Sequence, residues 1–565
     1  MRQSIATITA ILFLAVLPAG PAAQDGGQSF EGGFADDSGE STDNSEGFGD
    51  GFGEDFGSFG GSAAADDLLS WSGRLRFDLR GTADYDRPPD SAMEAGADAQ
   101  LELDYSADNS QALLRLEVDE GLNPTEDEQA AGDELLRKLM DEAYLQLYYD
   151  RFNLQAGYIK PVWGQGDQIH VVDFLGSNDL TDFINPDYID RRFAAGMVKL
   201  NFPWHTAAGS SGRVELAYLP VLRPDYLPEK GPWAPEEAVI LESLLTSYGN
   251  ALAATRQADS GITPPTGSTI APETALWAGL TAQEAVTGED TQRLSYSQVA
   301  TRATARLRGV DLGASYYFGY LKTPTPRIRL AGQEAFDAFV AGVPGAAPAP
   351  DPAGTVTLEY HRLHGFGLEG ATVVGPLNLR AEAAYYLTED IDGDDPEVPN
   401  NSLEYLAGFD VDLGISSLNL NVQALGSTIL NSDAIDDAGP IADVSAEYAA
   451  AAAGDPSLPT GGLGVLSYDP NARLNYQYDE DGIYTSHTIF AQLSDSWRND
   501  RIRPELTVAM GVERQDWRLA PAVEFVLRDD TLFEVSSAVY GGDDAGILGQ
   551  FDDNDYVQLR FEYRF

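Results

Sequence analysis

Residues 556–565 read Y-V-Q-L-R-F-E-Y-R-F, and this stretch decides the fold class. Apolar or aromatic residues occupy every second position from Val557 to Phe565, and Gln, Arg and Glu occupy the positions between them. Successive side chains of a β-strand point to opposite faces, so the segment predicts a strand with one apolar and one charged face. Such a strand is typical of a wall that separates lipid from water.

The same two-residue alternation recurs along most of the chain. No stretch after the N-terminal region is long and apolar enough for a transmembrane helix, so an integral membrane protein with this sequence must be a closed β-barrel. Because bacterial barrels favour even strand numbers, we expect one antiparallel barrel of about 16 to 18 strands, wide enough for an aqueous lumen. A soluble β-sandwich or propeller is the alternative. Nineteen runs show the pattern: 74–80, 101–105, 114–119, 145–150, 152–160, 192–200, 212–219, 298–308, 310–321, 355–362, 364–373, 377–388, 402–413, 415–425, 485–493, 505–515, 519–527, 531–540 and 556–565.

The N-terminus indicates export. Arg2 precedes an apolar run that ends at Leu17, and small residues follow it up to Ala23, which predicts a signal peptide over residues 1–23. Residues 24–67 are rich in Gly, Asp, Glu and Ser with spaced Phe, and we expect a flexible tail, with a docking segment as the alternative. Residues 68–565 then form the barrel, in the outer membrane of a two-membrane bacterial envelope.

The chain is strongly acidic and contains no cysteine. Its 35 Lys and Arg residues face 90 Asp and Glu residues, a net charge of −55, which excludes a nucleic-acid partner. This acidity fits a cation-preferring pore, acidic surface loops that keep the protein soluble, or a high-salt habitat. The absence of cysteine excludes disulfides, thiolate metal sites and a cysteine nucleophile.

Four long segments interrupt the strand pattern. Barrels place short turns at one end and long loops at the other, so we expect these segments to be external loops. The longest contains a helix-like run that starts at Pro235, and it is our first candidate for a loop that folds into the lumen, although a surface excursion is the blander interpretation. The four segments are 120–140, 221–296, 322–354 and 426–480.

Arginine recurs on the charged faces of the strands. In a closed barrel the first and last strands are neighbours, so their polar faces combine at one seam. The wall is then a lattice of Arg against Asp and Glu, with a basic stripe near the seam that orients a solute, or with mutually neutralised pairs that only brace the wall. The arginines concerned are Arg74, Arg76, Arg80, Arg302, Arg306, Arg560 and Arg564.

The segment around Trp163 has a distinctive motif. It reads E-A-Y-L, then L-x-A-G-x-x-x-x-x-W-G, then N-P-D at residues 185–187. This pattern resembles a family of porin-like outer-membrane proteins of unknown function, and similar hairpins occur in phosphate-selective and alginate-export-type porins. The resemblance covers about 65 residues and implies an outer-membrane location and passive or facilitated transport, without implying a solute.

Physical reasoning assigns tasks to the residues of this segment. Gly157 and Gly164 permit a bend or a close backbone approach. Trp163 suits an interface, with its ring in apolar surroundings and its N–H in water. We expect a polar loop to follow it and fold inward at the rim. The candidate pore-lining or loop-locking residues are Trp163, Asp167, His170, Arg191 and Arg192; a latch that only fixes the rim is the alternative.

No catalytic or metal-binding pattern is present. The five histidines lack the spacing of zinc proteases, and no G-x-S-x-G or P-loop pattern occurs. Acidic turns at 390–395 and 552–555 lack the full spacing of a calcium loop, so we expect ordinary hairpin turns. We therefore expect no enzyme activity, no metal and no cofactor.

These observations lead to one main functional hypothesis. We expect a channel for passive or facilitated diffusion of a small hydrophilic solute. The alternatives are a transporter of hydrophobic molecules and a structural or adhesive surface barrel. The partners expected are outer-membrane lipid and the barrel-assembly machinery, with Tyr563 and Phe565 of the last strand as the assembly signal.

Overall fold

The structure is a computed structural model of the chain. It describes residues 68–82, 93–120, 140–167, 169–180, 191–206, 209–226, 233, 286–288, 290–329, 355–395, 397–436, 477, 479 and 481–565. The predicted signal peptide, the predicted tail and the helix-like run after Pro235 lie outside these residues.

Eighteen strands of the described chain form one antiparallel sheet. Each strand pairs with the next along the chain, and the last pairs with the first, so the sheet closes on itself. The strands are β1 (Leu69–Thr82), β2 (Met93–Ala107), β3 (Ser110–Glu120), β4 (Met140–Tyr148), β5 (Asn153–Ile159), β8 (Ala195–His205), β9 (Ser211–Leu219), β11 (Gln298–Leu307), β12 (Val310–Tyr320), β15 (Arg362–Val374), β16 (Leu377–Thr388), β17 (Ser402–Asp412), β18 (Asn419–Ile429), β19 (Thr485–Ser494), β20 (Ile502–Gly511), β21 (Trp517–Arg528), β22 (Thr531–Gly541) and β23 (Tyr556–Arg564).

The remaining described elements are short. Two further sheets lie outside the barrel wall, one with three strands and one with two. The elements are β6 (Ser177–Asn178), β7 (Arg192–Phe193), β10 (Val286–Gly288), β13 (Thr325–Arg329), β14 (Thr355–Glu359), 3₁₀ helices at Leu294–Tyr296 and Gly549–Asn554, and one α-helical turn at Asp433–Asp436. In the described ranges, no helix is long and apolar enough to cross a lipid bilayer.

The prediction of a closed barrel of 16 to 18 strands is confirmed, and one of the nineteen runs is wrong. The run at 355–362 contains β14, which pairs with β13 and β10 instead of joining the barrel. Two-residue alternation reports only that a segment is a strand with two different faces. It does not report which sheet the strand joins, and this explains the extra candidate.

Closure gives the wall an apolar outer face and a polar inner face. On β23, Val557 and Phe561 are 49% and 40% exposed, whereas Gln558 between them is fully buried. The same parity passes from strand to strand through the pairing register, as in Asp78↔Arg560 and Arg302↔Ser315. The large apolar side chains that are exposed therefore lie outside, where no other part of the chain covers them.

The two ends of the barrel differ. At the end with Leu69 and Phe565, which we name the turn rim, all connections are short: 108–109, 149–152, 206–210, 308–309, 375–376, 413–418, 495–501 and 529–530. The opposite end, the loop rim, carries the long connections, including 121–139, 160–194, 220–297, 321–361 and 430–484. This arrangement agrees with the expected asymmetry between short turns and long loops.

A glycine fixes the contact between β4 and β5, as the sequence predicts. Gly157 has a φ of +144°, and a Cβ atom there would lie 2.6 Å from the Cα of Tyr144. We predict that Gly157→Ala lowers the free energy of unfolding by at least about 2 kcal/mol, because both the backbone and the contact become strained. The measurement is urea unfolding in lipid vesicles, followed by tryptophan fluorescence.

Gly196→Ala on the adjacent strand is the matched control. The nearest atom to its added Cβ is Tyr158 Cε1 at 3.7 Å, which is an ordinary contact distance. Its effect should stay within about 0.5 kcal/mol. Equal destabilisation by both substitutions would contradict a special constraint at Gly157.

Candidate functional site

The connection between β5 and β8 folds into the barrel. Its described residues, 160–167, 169–180 and 191–194, are named the inner loop here. They include β6 and β7, which form a short hairpin. The loop carries apolar side chains that pack on inward-facing residues of β11, β12 and β15–β17, so its hydrophobic cluster lies inside the lumen. The cluster joins Trp163, Val171, Val172, Phe174 and Leu175 to Ala300, Tyr317, Leu363, Ala384 and Leu406.

The wall under the loop is hollowed by glycine. A Cβ atom at Gly365 would lie 2.7 Å from Phe174 Cε1, and one at Gly367 would lie 3.0 Å from Val172 Cγ1. Both glycines face inward on β15, in the register that pairs Gly365 with Tyr317. The missing side chains therefore let the loop backbone approach the wall closely.

A single carboxylate binds the tip of the loop. Glu382 projects inward from the middle of β16 and accepts hydrogen bonds from four backbone N–H groups: Gln165 and Gly166 at 2.5 and 2.6 Å on Oε1, and Val171 and Val172 at 2.8 and 3.3 Å on Oε2. The Nδ1 atom of His170 lies 3.4 Å from Oε1. A backbone that enters a lumen loses water from its amides, and a charged acceptor replaces that water at high strength.

The loop reaches further into the barrel at Asp167. Its carboxylate forms an ion pair with Arg380, which also binds Asp410, and it accepts a hydrogen bond from Asn421. Arg380 lies four positions after the turn at 375–376. The tip therefore extends from the loop rim past the middle of the barrel, deeper than the rim position expected from the sequence.

Arg192 holds the base of the inner loop. Its guanidinium binds the carboxylate of Asp173 and the carbonyl oxygen of Pro161, and it is almost fully buried. A Cβ atom on Gly176 would collide with the same guanidinium. One arginine thus joins the start, the middle and the end of the loop, which a planar group with several donors does well.

The structure brings four of the five predicted loop residues together around this anchor. Asp167, His170 and Arg192 make the contacts described above. Trp163 is only 1% exposed inside the hydrophobic cluster, so the interpretation of this side chain as an interfacial tryptophan with a wet N–H is wrong. Arg191 lies at the base, where its carbonyl oxygen accepts a hydrogen bond from the N–H of Asp179 at 2.6 Å.

Sequence reasoning missed the wall residues that hold the loop. Glu382 and Arg380 look like ordinary polar positions in the alternation of β16, and Asp410 looks the same in β17. No local motif marks them, because their partners in the loop lie more than two hundred residues away.

The seam brings the predicted arginines of the first and last strands together. Register pairs Arg76 with Glu562 and Asp78 with Arg560, and the side chains meet at 3.4 and 2.8 Å. Arg564 lies 2.6 Å from Glu562. Two further arginines have partners on the same wall: Arg74 lies 3.4 Å from Asp98, and Arg80 donates to Gln558 at 3.1 Å.

Two arginines on β11 lie on the inner-loop side. Arg302 makes a forked pair with Glu369 at 2.7 and 2.9 Å, and it is only 5% exposed. Arg306 lies 4.0 Å from Asp311 and is more exposed. The arginine lattice therefore has carboxylate partners at each of these places, which is the braced arrangement and not an uncompensated stripe.

The connection between β9 and β11, our sequence-based candidate for a lumen loop, has one described residue in its central part. Trp233 is buried against Tyr540, Phe551 and Tyr556, with ring centroids 6.2, 5.5 and 6.5 Å away. Tyr540 and Tyr556 belong to the inner face of β22 and β23. This residue therefore contacts the inside of the wall that lies opposite β9 and β11 in the strand order.

Groups at the loop rim show the effect of burial on charge. Burial lowers the pKa of Lys322 to about 8, and the nearby carboxylate of Asp225 opposes part of that change. Burial likewise raises the pKa of Asp225, although the N–H of Asn178 donates to its carboxylate at 2.7 Å. Among the described side chains, no group of three or more His, Asp or Glu residues is arranged to hold a metal ion.

Comparison with known proteins adds structural neighbours only. No protein-family model and no curated protein matches the chain. Solved structures similar to it include OccAB4 of Acinetobacter baumannii (9% identity, 88% of this chain, 98% of that chain, TM-score 0.40), OccK5 of Pseudomonas aeruginosa (9%, 88%, 98%, TM-score 0.38) and a variant of the Rh. blastica porin (9%, 88%, 100%, TM-score 0.34). All three TM-scores are below 0.5, so the function is argued from the residues of this chain.

We predict that Glu382→Gln releases the tip of the inner loop. The amide nitrogen of glutamine cannot accept hydrogen bonds, so the N–H groups bound to one of the two oxygens lose their acceptor. Hydrogen exchange at Gln165, Gly166, Val171 and Val172 should become about tenfold faster or more, a loss of about 1.4 kcal/mol. Hydrogen exchange followed by mass spectrometry measures this.

Glu534→Gln, on the inner face of β22, removes the same charge away from the loop and serves as the control. Its exchange at the four amides should equal that of the unmodified protein. Unchanged exchange in Glu382→Gln would show that the hydrophobic cluster alone holds the loop.

Proposed function

We propose that this protein is an outer-membrane channel for passive or facilitated diffusion of small hydrophilic solutes, narrowed by its inner loop. One observation carries the proposal: a loop anchored by Glu382 fills one side of an eighteen-stranded barrel, while a polar wall faces it. Barrels of this strand number are wide enough for a water-filled lumen. The facing wall carries partly exposed polar side chains on β19–β22: Thr488, Gln492, Glu505, Thr507, Glu524 and Glu534.

The outer surface supports a membrane location. Exposed apolar side chains recur on the outer face of many strands, and so large an apolar surface is unfavourable in water. Examples from widely separated strands are Phe77, Leu145, Leu216, Phe366, Ile489 and Leu559. Outer-membrane lipid is the partner whose chemistry matches this surface.

The contacts also support roles for the predicted site residues. Trp163, Asp167, His170 and Arg192 lock the inner loop onto itself and onto the wall, and Arg191 lies at its base. Arg74, Arg76, Arg560 and Arg564 line the lumen at the seam, where their carboxylate partners keep the local charge balanced. Arg80, Arg302 and Arg306 brace the wall.

The end of the last strand fits a role in assembly. Phe565 exchanges both backbone hydrogen bonds with Gly73 at 2.9 Å, and its ring lies 5.9 Å from that of Trp71. Tyr563 stacks on it at 6.1 Å. This strand completes the closure of the sheet, so we propose that it carries the signal read by the barrel-assembly machinery, with Tyr563 and Phe565 as its aromatic residues.

A transporter of hydrophobic molecules is the weaker candidate. Such a protein needs an apolar cavity inside the barrel, and the apolar residues of the inner loop already pack against each other and the wall. The side of the lumen that faces the loop is polar, which favours water and hydrophilic solutes.

Planar-bilayer recording of the purified protein tests the channel. We predict stepwise single-channel currents, and Glu382→Gln should make the open level noisier because the freed loop tip moves within the lumen. Heat-denatured protein is the control. A folded preparation that incorporates into the bilayer and gives no current would exclude the channel.

Removal of a paired arginine should change ion selectivity. Arg76→Gln leaves Glu562 with less compensation, so the reversal potential in a KCl gradient should shift by several millivolts toward cation preference. Arg293→Gln is the matched control, because Arg293 is highly exposed before β11, at the loop rim. Equal reversal potentials for both variants would mean that Arg76 does not face the conducting path.

A further inference from the structure

A cavity of about 540 Å³ lies between the inner loop and the loop rim. Its floor includes His170, Asp173 and Phe174 of the loop, and its walls include Tyr320, Tyr386 and Glu404 from the ends of barrel strands at that rim. This volume suits a small organic molecule. A solute that approaches from the loop rim reaches the cavity before it reaches the tip of the inner loop.

The charged groups around this cavity do not cancel completely. Asp173 is ion-paired with Arg192, and Asp225 lies close to Lys322. Lys322 also donates to Gln298 at 2.8 Å and is largely protonated at neutral pH. Each cation of the cavity wall therefore has a carboxylate beside it.

Glu404 is the carboxylate left over. It faces inward on β17, and in the described chain it has no hydrogen-bond or ion-pair partner. Its neighbours on the inner wall are Ala384 and Ser427 across the ladders and Leu406 along the strand, and none of them is basic. A partly buried carboxylate in this setting favours a cation as its partner.

Aromatic rings lie next to this carboxylate. Tyr386 pairs in register with Ser402, two positions from Glu404, and its ring meets that of Phe174 edge-on at 5.5 Å. Phe174 in turn stacks on Tyr317 at 5.8 Å. Aromatic rings beside a carboxylate are the groups that recognise an ammonium ion attached to a flat apolar body.

We infer that this cavity is a binding site for small organic cations, in which Glu404 binds the ammonium group and the aromatic rings contact the apolar body. The inference rests on the proposed channel, because it names the class of solute that the lumen selects before the inner loop. The acidic balance of the cavity gives this preference without any change in the balanced charges at the seam.

Isothermal titration of the purified, folded protein in detergent tests the site with three probes of similar size. Benzylammonium should bind at least about tenfold more tightly than benzyl alcohol or benzoate. Glu404→Gln should weaken benzylammonium binding about tenfold or more, Glu404→Asp should keep the preference for the cation, and Glu534→Gln should bind within about twofold of the unmodified protein. Heat-modifiable migration in gels verifies that each variant is folded.

The opposite results would overturn the inference. Equal binding of benzyl alcohol would reduce the site to an aromatic slot, tighter binding of benzoate would assign it to Lys322, and an unaffected Glu404→Gln would move the cation elsewhere. Bilayer recordings of the same preparations separate this inference from the channel. Currents without benzylammonium binding would remove the cation site alone, whereas benzylammonium binding without currents would remove the channel and keep a binding site.

Discussion

Closure of the sheet is the constraint on which the rest of the molecule depends. Because β23 pairs with β1, the barrel has no free edge, and one register runs around the whole wall. That register fixes the parity of every strand, so the apolar side chains point out and the polar ones point in. Charged groups far apart in the sequence, such as Asp78 and Arg560, then meet at 2.8 Å on the inner face.

An interior of this kind poses a problem for any chain that enters it. The inner loop carries backbone amides away from bulk water, and they need acceptors that the loop itself does not supply. Glu382 provides two oxygens for four of these amides, Asp167 extends the contact to Arg380, and Arg192 closes the base. Polar anchors fix the position of the loop, and the hydrophobic cluster around Trp163 supplies its packing.

Much of this wall follows from the sequence, because each strand carries its own pattern. The alternation identified all eighteen barrel strands, and closure alone predicted that Arg76 and Glu562 share a seam. The motif around Trp163 indicated an inward loop, and the structure brings Asp167, His170 and Arg192 into its anchors. The error over residues 355–362 has a simple origin, since the pattern of a strand does not say which sheet it joins.

The partners of the loop were beyond local reading. Glu382 and Glu404 occupy polar positions that resemble any other on their strands, and their importance comes from what the folded chain places opposite them. Trp163 carried a misleading signal, because tryptophans at interfaces and tryptophans in a core look identical in sequence. Only the contacts made by residues hundreds of positions away distinguish these cases.

The glycines beneath the inner loop have a consequence for how the passage varies among related chains. Gly365 and Gly367 form a recess in β15 that receives Phe174 and Val172. A larger residue in this recess would push the loop away from its own wall and toward the opposite one. The bore would then shrink although no residue facing the solute had changed. Aperture in this molecule is therefore set partly from behind the loop, and substitutions in the recess and in the loop should arise together in evolution.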